Sequence, residues 1–291
     1  MKYFTIAGFI IAIDSQICES SYIQNILSEF RTENLQEKPV LTVRRASVSN
    51  FDESIHSASY VELGIETSFY RDGDRFFRKL EKQDTFLRSE FYETDDKNYE
   101  AIFDFSGKNQ IDSMIYYALR WACCLAFLQR QILGFHSSTI IHEEKSVLFL
   151  GKSGTGKSTH SQLWLNNIAD VELLNDDAPF VQIVENKVVT WGSPWSGKTP
   201  CYKNKSAATA AFVLLQQAPE NKIRKLTLYE ALTVLLGSSR FYYFNDEFFT
   251  DRNYEILSEI LKRIPVYHLE CLPNTDAAQL VMETLKADNV L

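Results

Sequence analysis

The sequence predicts an α/β protein built in two parts, and three observations lead to this prediction. Up to about residue 108, apolar residues alternate with polar ones or form short runs, as in β-strands. From residue 109 onward, strand-like and helix-like patterns follow one another. Within this second part the apolar run VLFL leads directly into a glycine-rich octapeptide and then into a helical pattern. We therefore expect a β-rich subdomain at residues 1–108 and an α/β domain at residues 109–291.

Length and composition limit the class of protein. The chain has 291 residues, of which 45% are hydrophobic, so it can bury a sizeable core. Its formal net charge of −8 and the absence of a Lys/Arg run argue against a nucleic-acid partner. The five cysteines are scattered without CxxC spacing, so neither a disulfide framework nor a zinc site is predicted. A reducing cytoplasm is the expected location.

Two apolar stretches are predicted to lie inside the fold rather than in a membrane. Residues 1–13 resemble a signal peptide, but no small-residue cleavage site follows before Asp14, so we expect a first strand. Residues 114–128 are interrupted by Arg120 and are shorter than the ~20 residues that span a bilayer. They are predicted to form a buried helix, and no membrane partner is expected.

In the first part, one helix is predicted near residues 21–30 among several strands. The strand patterns cover residues 4–13, 40–43, 60–65, 86–92 and 99–105. The tetrapeptide RDGD at residues 71–74 predicts a hairpin turn, because Asp-Gly tolerates positive φ. This part is interpreted as a structural subdomain, with a lid or a substrate-recognition module as the alternative.

In the second part, Asn109 is predicted to cap a helix whose apolar spacing continues until near Gly134. Two strands follow, and His136 lies at the start of the first one, beside the strand that enters the glycine loop. A strand after the loop helix ends in the sequence NDD, and a hairpin then delivers the loop GSPWSGK. Strands are expected at residues 135–141, 146–150, 171–174, 180–184, 187–191, 211–215 and 265–271, and helices at residues 228–236, 248–263 and 275–287.

The octapeptide GKSGTGKS at residues 151–158 matches the Walker A pattern, with a strand before it and a helix after it. Glycine backbones can place successive N–H groups around a phosphate at the helix N-terminus. Lys157 can reach the β and γ phosphates, and the Ser158 hydroxyl can bind Mg²⁺. A simple tight turn is the alternative for so short a pattern. The predicted nucleotide-binding residues are Gly151, Lys152, Ser153, Gly154, Thr155, Gly156, Lys157, Ser158 and Thr159.

Two adjacent carboxylates, Asp176 and Asp177, follow the loop after the length of one helix and one strand. One of them could hold Mg²⁺ with Ser158 while the other accepts a proton from an acceptor hydroxyl. Capping of a turn is the structural alternative.

The interpretation of five further residues also stays open: Lys198, Arg240, Arg224 and Lys203 as phosphate contacts or solvated cations, and His136 as a functional or an ordinary side chain. Trp191 and Trp195 are interpreted as packing anchors, with a base or substrate contact as the alternative.

The succession of His136, GKSGTGKS and LLNDD resembles the catalytic domain of the HPr kinase/phosphorylase family, which shares its fold with ATP-dependent phosphoenolpyruvate carboxykinase. The resemblance covers about residues 134–184 and implies a P-loop domain with a mixed sheet. It further implies Asp176 as base, Asp177 as metal partner and a role for His136. The N-terminal part does not resemble the family's regulatory domain, and WGSPWSGK replaces its glycine-rich signature. Divergent relatives, which include kinases for free serine and for ribosomally made peptides, are therefore the expected group.

These observations predict an ATP- and Mg²⁺-dependent kinase that transfers the γ-phosphoryl group to a hydroxyl. The acceptor would be a small molecule or a Ser/Thr of a peptide or protein, and the oligomeric state is left open. The alternative is a nucleotide-binding regulatory protein, gated by ATP or GTP, without phosphotransfer. The expected catalytic residues are Asp176, His136, Lys157 and Lys198, and the expected metal ligands are Ser158, Asp177 and Asp176.

Overall fold

The computed structural model describes residues 1–33, 36–62, 64–95, 97–107, 111–197, 199–239 and 247–291. Three residues singled out in the sequence lie outside these ranges: the predicted helix cap Asn109 and the predicted cations Lys198 and Arg240.

The chain forms two compact units. The first comprises Met1–Arg130 and Tyr243–Thr250, and the second comprises Gln131–Tyr242 and Asp251–Leu291. This division falls after residue 130 and not after residue 108 as predicted, because the helix that follows residue 110 packs on the sheet of the first unit. The predicted α/β class is confirmed, since both units combine helices with a large mixed sheet.

The first unit contains an eight-stranded sheet in the order β1-β2-β3-β8-β7-β6-β5-β4. Its elements are β1 (Lys2–Ile6), β2 (Phe9–Ile13), α1 (Ser21–Leu27), β3 (Leu41–Arg45), β4 (His56–Glu62), β5 (Ile65–Asp72), β6 (Arg75–Lys82), β7 (Thr85–Glu93), β8 (Tyr99–Ser106) and α2 (Ile111–Leu128). The strands β2, β3 and β8 pair in parallel, and the other neighbours are antiparallel.

The single strand predicted at residues 4–13 is a hairpin of two strands. Ala7 at φ 50° and Gly8 at φ 81° reverse the chain between β1 and β2, and Ile6 pairs with Phe9 across this two-residue loop. The prediction was wrong because the apolar residues continue through the turn, so the pattern of hydrophobicity does not mark it. The hairpin predicted at residues 71–74 is present, with Gly73 at φ 57° in its loop.

Strand β6 was missed in the sequence because its composition is strongly charged. Arg78 and Lys79 are 5% and 7% exposed, so cations are buried on both faces of this strand. The Arg78 guanidinium donates to the carbonyl of Tyr117 at 2.8 Å, and Lys79 pairs with Glu53. Buried charges with partners of this kind break the polar and apolar alternation that identifies a strand.

Helix α2 is the predicted buried helix. By length and composition it could cross a membrane, but 72% of it is buried inside the protein. The Trp121 ring packs 6.5 Å from that of Phe69 and 5.9 Å from that of Phe91, as in the core helix of a folded unit. The helix ends at Leu128 and not near Gly134, because residues 132–134 form a strand of the second unit.

The second unit contains a nine-stranded sheet, a helix that follows the glycine-rich segment and three later helices. Its elements are β9 (Ile132–Gly134), β10 (Ser137–His142), β11 (Lys145–Leu150), α3 (Lys157–Asn167), β12 (Val171–Asp177), β13 (Phe180–Val184), β14 (Lys187–Trp191), β15 (Ser206–Gln217), β16 (Lys222–Lys225), α4 (Leu228–Ser238), α5 (Glu247–Leu261, which belongs to this unit from Asp251 onward), β17 (Val266–Cys271) and α6 (Thr275–Ala287). The path β12-β10-β11-β15-β14-β13-β9 is joined by β17 on β15 and by β16 on β17.

The core of this unit lies between its sheet and the helices α3 and α6, which contact each other. Phe149 of β11, Trp164 of α3, Tyr267 of β17 and Val281 of α6 are all fully buried there. Strand β15 pairs in parallel with β11 and with β17, and this central position explains the long apolar runs of β11 and β15. The buried strand β11 therefore holds the start of the glycine loop rigidly.

Three strand ends converge where this loop begins. Strand β10 is antiparallel to both β11 and β12, and Ser137 pairs with Leu150 on one side and with Asp177 on the other. The carboxyl ends of β11 and β12 thus lie at the same edge of the sheet, on either side of the start of β10. Side chains that follow these strand ends are brought together by the pairing itself.

Candidate functional site

The glycine-rich segment forms the connection between β11 and α3. Gly151 has φ 149°, and a Cβ atom at this position would lie 2.5 Å from Thr155 Oγ1. Thr155 in turn donates from its N–H and its hydroxyl to the carbonyl of Lys152, at 3.2 and 2.8 Å. Only glycine fits at residue 151 without displacing this turn. Gly156, at φ 101°, comes directly before the first turn of α3.

The Lys157 ammonium is folded back over the loop. It donates to the carbonyls of Gly151 at 2.8 Å and Lys152 at 3.3 Å, and it lies 3.0 Å from Nε2 of His136. A cation placed over a glycine loop at the start of a helix is the arrangement that binds phosphate groups.

His136 connects this cation to one of the aspartates. Its Nδ1 lies 2.9 Å from Asp177 Oδ1, while its Nε2 faces the Lys157 ammonium. Since an ammonium only donates and a carboxylate only accepts, the two contacts fit the neutral imidazole with its proton on Nδ1. In this form His136 orients the Asp177 carboxylate and the Lys157 ammonium at once.

Asp176 has a separate set of partners. Its Oδ1 accepts from the Ser158 hydroxyl at 2.9 Å, and its Oδ2 accepts from the N–H of Thr199 at 3.4 Å. The residue is 5% exposed, whereas the Asp177 side chain is 18% exposed. The two neighbouring carboxylates therefore lie in different environments.

The oxygen atoms of Ser158, Asp176 and Asp177 could hold Mg²⁺. Among the residues that the structure describes, no group of three or more His, Cys, Asp or Glu side chains is placed to hold a metal ion by itself. Magnesium in phosphate-transferring sites uses one or two carboxylates together with phosphate and water oxygens, so a complete protein cage is not required. The hydroxyl and carboxylate donors here fit that ion and do not fit a thiophilic metal.

A cavity of about 420 Å³ adjoins the glycine-rich segment. Thr155 and Gly156 line it on one side, and the side chains of Leu163, Leu215 and Pro273 supply apolar surface. Sequence reasoning missed this cavity, because its walls come from α3, β15 and the segment after β17, which are far apart in the chain.

His160 of α3 also lines the cavity and is 3% exposed. Burial lowers its pKa to about 4, and its Nε2 accepts from the Trp164 indole N–H at 3.3 Å. This histidine is therefore neutral at pH 7.

Other predicted residues have partners away from the phosphate loop. Lys203 pairs with Glu172 at 3.0 Å, and Arg224 forms a two-point contact with Glu230. The hydrogen bond from Lys205, followed by that from Lys203, lowers the pKa of Glu172. Both cations are therefore paired with carboxylates in this structure.

The two tryptophans differ in burial. Trp195 is 1% exposed and meets the Phe180 ring edge-on at 5.8 Å, as expected for a packing anchor. Trp191 is half-buried and donates from its indole N–H to Gln182 at 2.9 Å.

Comparisons with known proteins add little to the site. No protein-family model and no curated protein matches the chain. Among solved structures it is similar to the Hpr(Ser) kinase/phosphatase from Coxiella burnetii, with a TM-score of 0.32 and 13% sequence identity, over 54% of this chain and 95% of that one. A likeness at this TM-score carries no argument, so the functional case rests on the residues of the site.

Proposed function

We propose that this protein is an ATP- and Mg²⁺-dependent kinase that transfers the γ-phosphoryl group to a hydroxyl of a small molecule or of a Ser/Thr in a peptide or protein. One observation carries the proposal. A chain of contacts runs from Lys157 through His136 to Asp177, and the pair of Ser158 and Asp176 lies beside it. Phosphoryl transfer needs a phosphate-binding cation, metal ligands and a group that accepts a proton, and this cluster supplies each of them.

In the proposed mechanism the loop N–H groups and Lys157 bind the phosphates of ATP. Lys157 exchanges the carbonyls of Gly151 and Lys152 for phosphate oxygens. Ser158 and Asp177 would hold Mg²⁺, and the ion would neutralise phosphate charge. His136, neutral between its two partners, keeps the Asp177 carboxylate and the Lys157 ammonium in place for these tasks.

Asp176 is the proposed base. As the acceptor oxygen forms its bond to the γ-phosphorus, the hydroxyl proton passes to the Asp176 carboxylate. The bond from the γ-phosphorus to its bridging oxygen breaks, and ADP leaves with that electron pair. The partial burial of Asp176 keeps water away from the carboxylate, which favours transfer to the acceptor over hydrolysis.

The cavity beside the loop is proposed to hold the nucleoside of the donor. It begins at Thr155 and Gly156, next to the phosphates, and its apolar walls suit the faces of a base. We propose ATP as the donor and the cytoplasm as the compartment, in line with the expectations from the sequence.

The test follows γ-labelled ATP and Mg²⁺ with purified protein, supplied separately with the small-molecule and the macromolecular fractions of a cell extract. The Lys157→Ala variant, which lacks the proposed phosphate-binding cation, is the negative control. Label in a small molecule identifies a metabolite kinase, and label on a polypeptide identifies a protein or peptide kinase. If all label stays in ATP with both fractions although ATP binds, the proposal is wrong and a nucleotide-gated regulatory protein replaces it.

A further inference from the structure

Asn175 comes directly before the two aspartates, and its side chain is fully buried. Its Oδ1 accepts from the N–H of Asp177 at 3.1 Å and from the N–H of Ala178 at 2.8 Å. An asparagine that binds the backbone two and three residues ahead fixes the turn in which those residues lie. The amide oxygen of Asn175 thus sets the backbone at the end of β12.

The nitrogen of the same Asn175 amide binds a second segment, which contains Ser193 and Trp195. Its Nδ2 donates to the carbonyl of Trp195 at 3.0 Å and contacts the Oγ and the carbonyl of Ser193 at 3.2 and 3.3 Å. The Ser193 hydroxyl donates back to the carbonyl of Ala178 at 2.6 Å. We name residues 193–197 the support loop and residues 175–178 the aspartate turn. Asn175 and Ser193 join these two segments.

The support loop then touches the aspartates themselves. The N–H of Gly197 donates to the Asp176 carbonyl at 2.6 Å, and Ser196 pairs with Asp177 as an isolated β-bridge. A Cβ atom on Gly197 would lie 2.5 Å from the Asp176 carbonyl, so only glycine allows this approach. Shortly beyond the loop, the N–H of Thr199 reaches the Asp176 carboxylate.

We infer that Asn175 is a positioning residue, which holds the support loop against the aspartate turn and so fixes the direction of the Asp176 carboxylate. The inference rests on the proposed function. The buried amide binds the backbone that follows Asp176 through its oxygen and the support loop through its nitrogen. A group that accepts a proton must be held within a fraction of an ångström of its productive place, which this double attachment provides.

Two variants separate the positioning role from simple loss of stability. Asn175→Ser keeps a hydroxyl near the turn but is too short to reach Trp195, and Ser193→Ala removes the link from the loop side with little change in volume. The matched control is Thr190→Val. Thr190 is also fully buried in this unit, and its hydroxyl binds those of Ser146 and Thr209 at 2.9 and 2.7 Å, away from the aspartates.

The experiment measures phosphotransfer and hydrogen exchange on the full chain. In both test variants kcat is expected to fall about 10–100-fold, the usual effect of losing a partner that orients a catalytic ligand, while KM for ATP changes less than about threefold. Amides of residues 193–199 are expected to exchange faster without nucleotide. Thr190→Val should leave kcat and this exchange unchanged.

Failure of the inference and failure of the proposed function give different results. If wild-type protein transfers phosphate and Asn175→Ser and Ser193→Ala do so at the same kcat, the inference is overturned and the proposed function stands. If wild-type protein transfers nothing, the proposed function fails. Hydrogen exchange then decides alone: unchanged exchange in residues 193–199 overturns the attachment, and faster exchange confined to them supports it.

Discussion

Asp176 and Asp177 are neighbours in sequence, yet their carboxylates have different partners. The Asp176 carboxylate accepts from the Ser158 hydroxyl, while the Asp177 carboxylate contacts His136. Under the proposed function, these different partners give the two adjacent acids separate tasks, one toward the acceptor and one toward the metal. These different partners also keep the two negative charges at separate positions, since like charges at one position would repel each other.

Replacing Asp176 with Asn is predicted to abolish most phosphotransfer while ATP still binds. The amide keeps the size of the carboxylate and a hydrogen-bond acceptor for Ser158 but cannot take a proton. General base catalysis contributes roughly 10²–10⁴-fold, so kcat should fall by at least about 100-fold and the Kd for ATP should change little. Transfer of label from γ-labelled ATP, with Kd from calorimetry, checks this. Turnover near wild type with normal binding would remove Asp176 from the role of base.

The sequence patterns singled out most of the side chains that the structure brings together in the candidate site, but not how they are positioned. The Walker pattern and the NDD sequence named Lys157, Ser158 and the aspartates, and their spacing matched one helix and one strand. Asn175 was missed because an asparagine at the end of a strand is an ordinary turn residue. Its partners in the support loop follow a hairpin, and no local pattern links the two segments.

At the scale of elements, the site depends on one connection between β11 and α3. The buried strand fixes where the loop starts, and the helix N-terminus is where the proposed function places the phosphates. The apolar run VLFL and the glycine-rich pattern after it predicted both elements, and apolar periodicity was the guide elsewhere. It missed β6 and the turn between β1 and β2, where buried charge and a continuous apolar run conceal the boundaries.

Replacing Gly151 with Ala is predicted to weaken ATP binding without unfolding the unit. The added Cβ would meet Thr155 Oγ1 at 2.5 Å, and φ 149° is strained for alanine, so the loop must change shape. Gly237→Ala in α4 is the control, because a Cβ there meets nothing within 4 Å. That change should stabilise the helix by roughly 0.4–1 kcal/mol and leave binding intact. Equal ATP affinity in Gly151→Ala and wild type would contradict the proposed loop geometry.

At the scale of the whole molecule, the free energy of unfolding is predicted to depend on pH through the buried His160. Its pKa of about 4 in the folded protein lies below the ordinary histidine value of about 6.5. Above pH 6.5 both the folded and the unfolded chain are neutral at this residue, so it adds no pH dependence. As pH falls toward 4, the unfolded chain binds a proton that the folded chain does not, and the free energy of unfolding decreases.

His160→Gln tests this prediction, because glutamine can still accept from Trp164 but does not titrate. Between pH 7 and pH 4.5 the free energy of unfolding of wild-type protein should decrease by about 2 kcal/mol more than that of the variant. Urea titrations of both proteins at the two pH values supply the comparison. An equal decrease in both would show that His160 does not titrate differently in the folded and unfolded chains.

The central claim is that the glycine loop and the aspartates form one Mg²⁺–ATP site, and the most direct test needs no acceptor. Calorimetry measures ATP binding with Mg²⁺ and with EDTA for wild-type protein, Asp177→Asn and the control Asp170→Asn. Asp170 is exposed at φ 56°, a conformation that asparagine also tolerates. We expect Mg²⁺ to tighten ATP binding in wild type and Asp170→Asn, and most of this gain to be lost in Asp177→Asn. ATP binding that is absent in wild type, or a Mg²⁺ effect that is the same in all three proteins, would contradict the account.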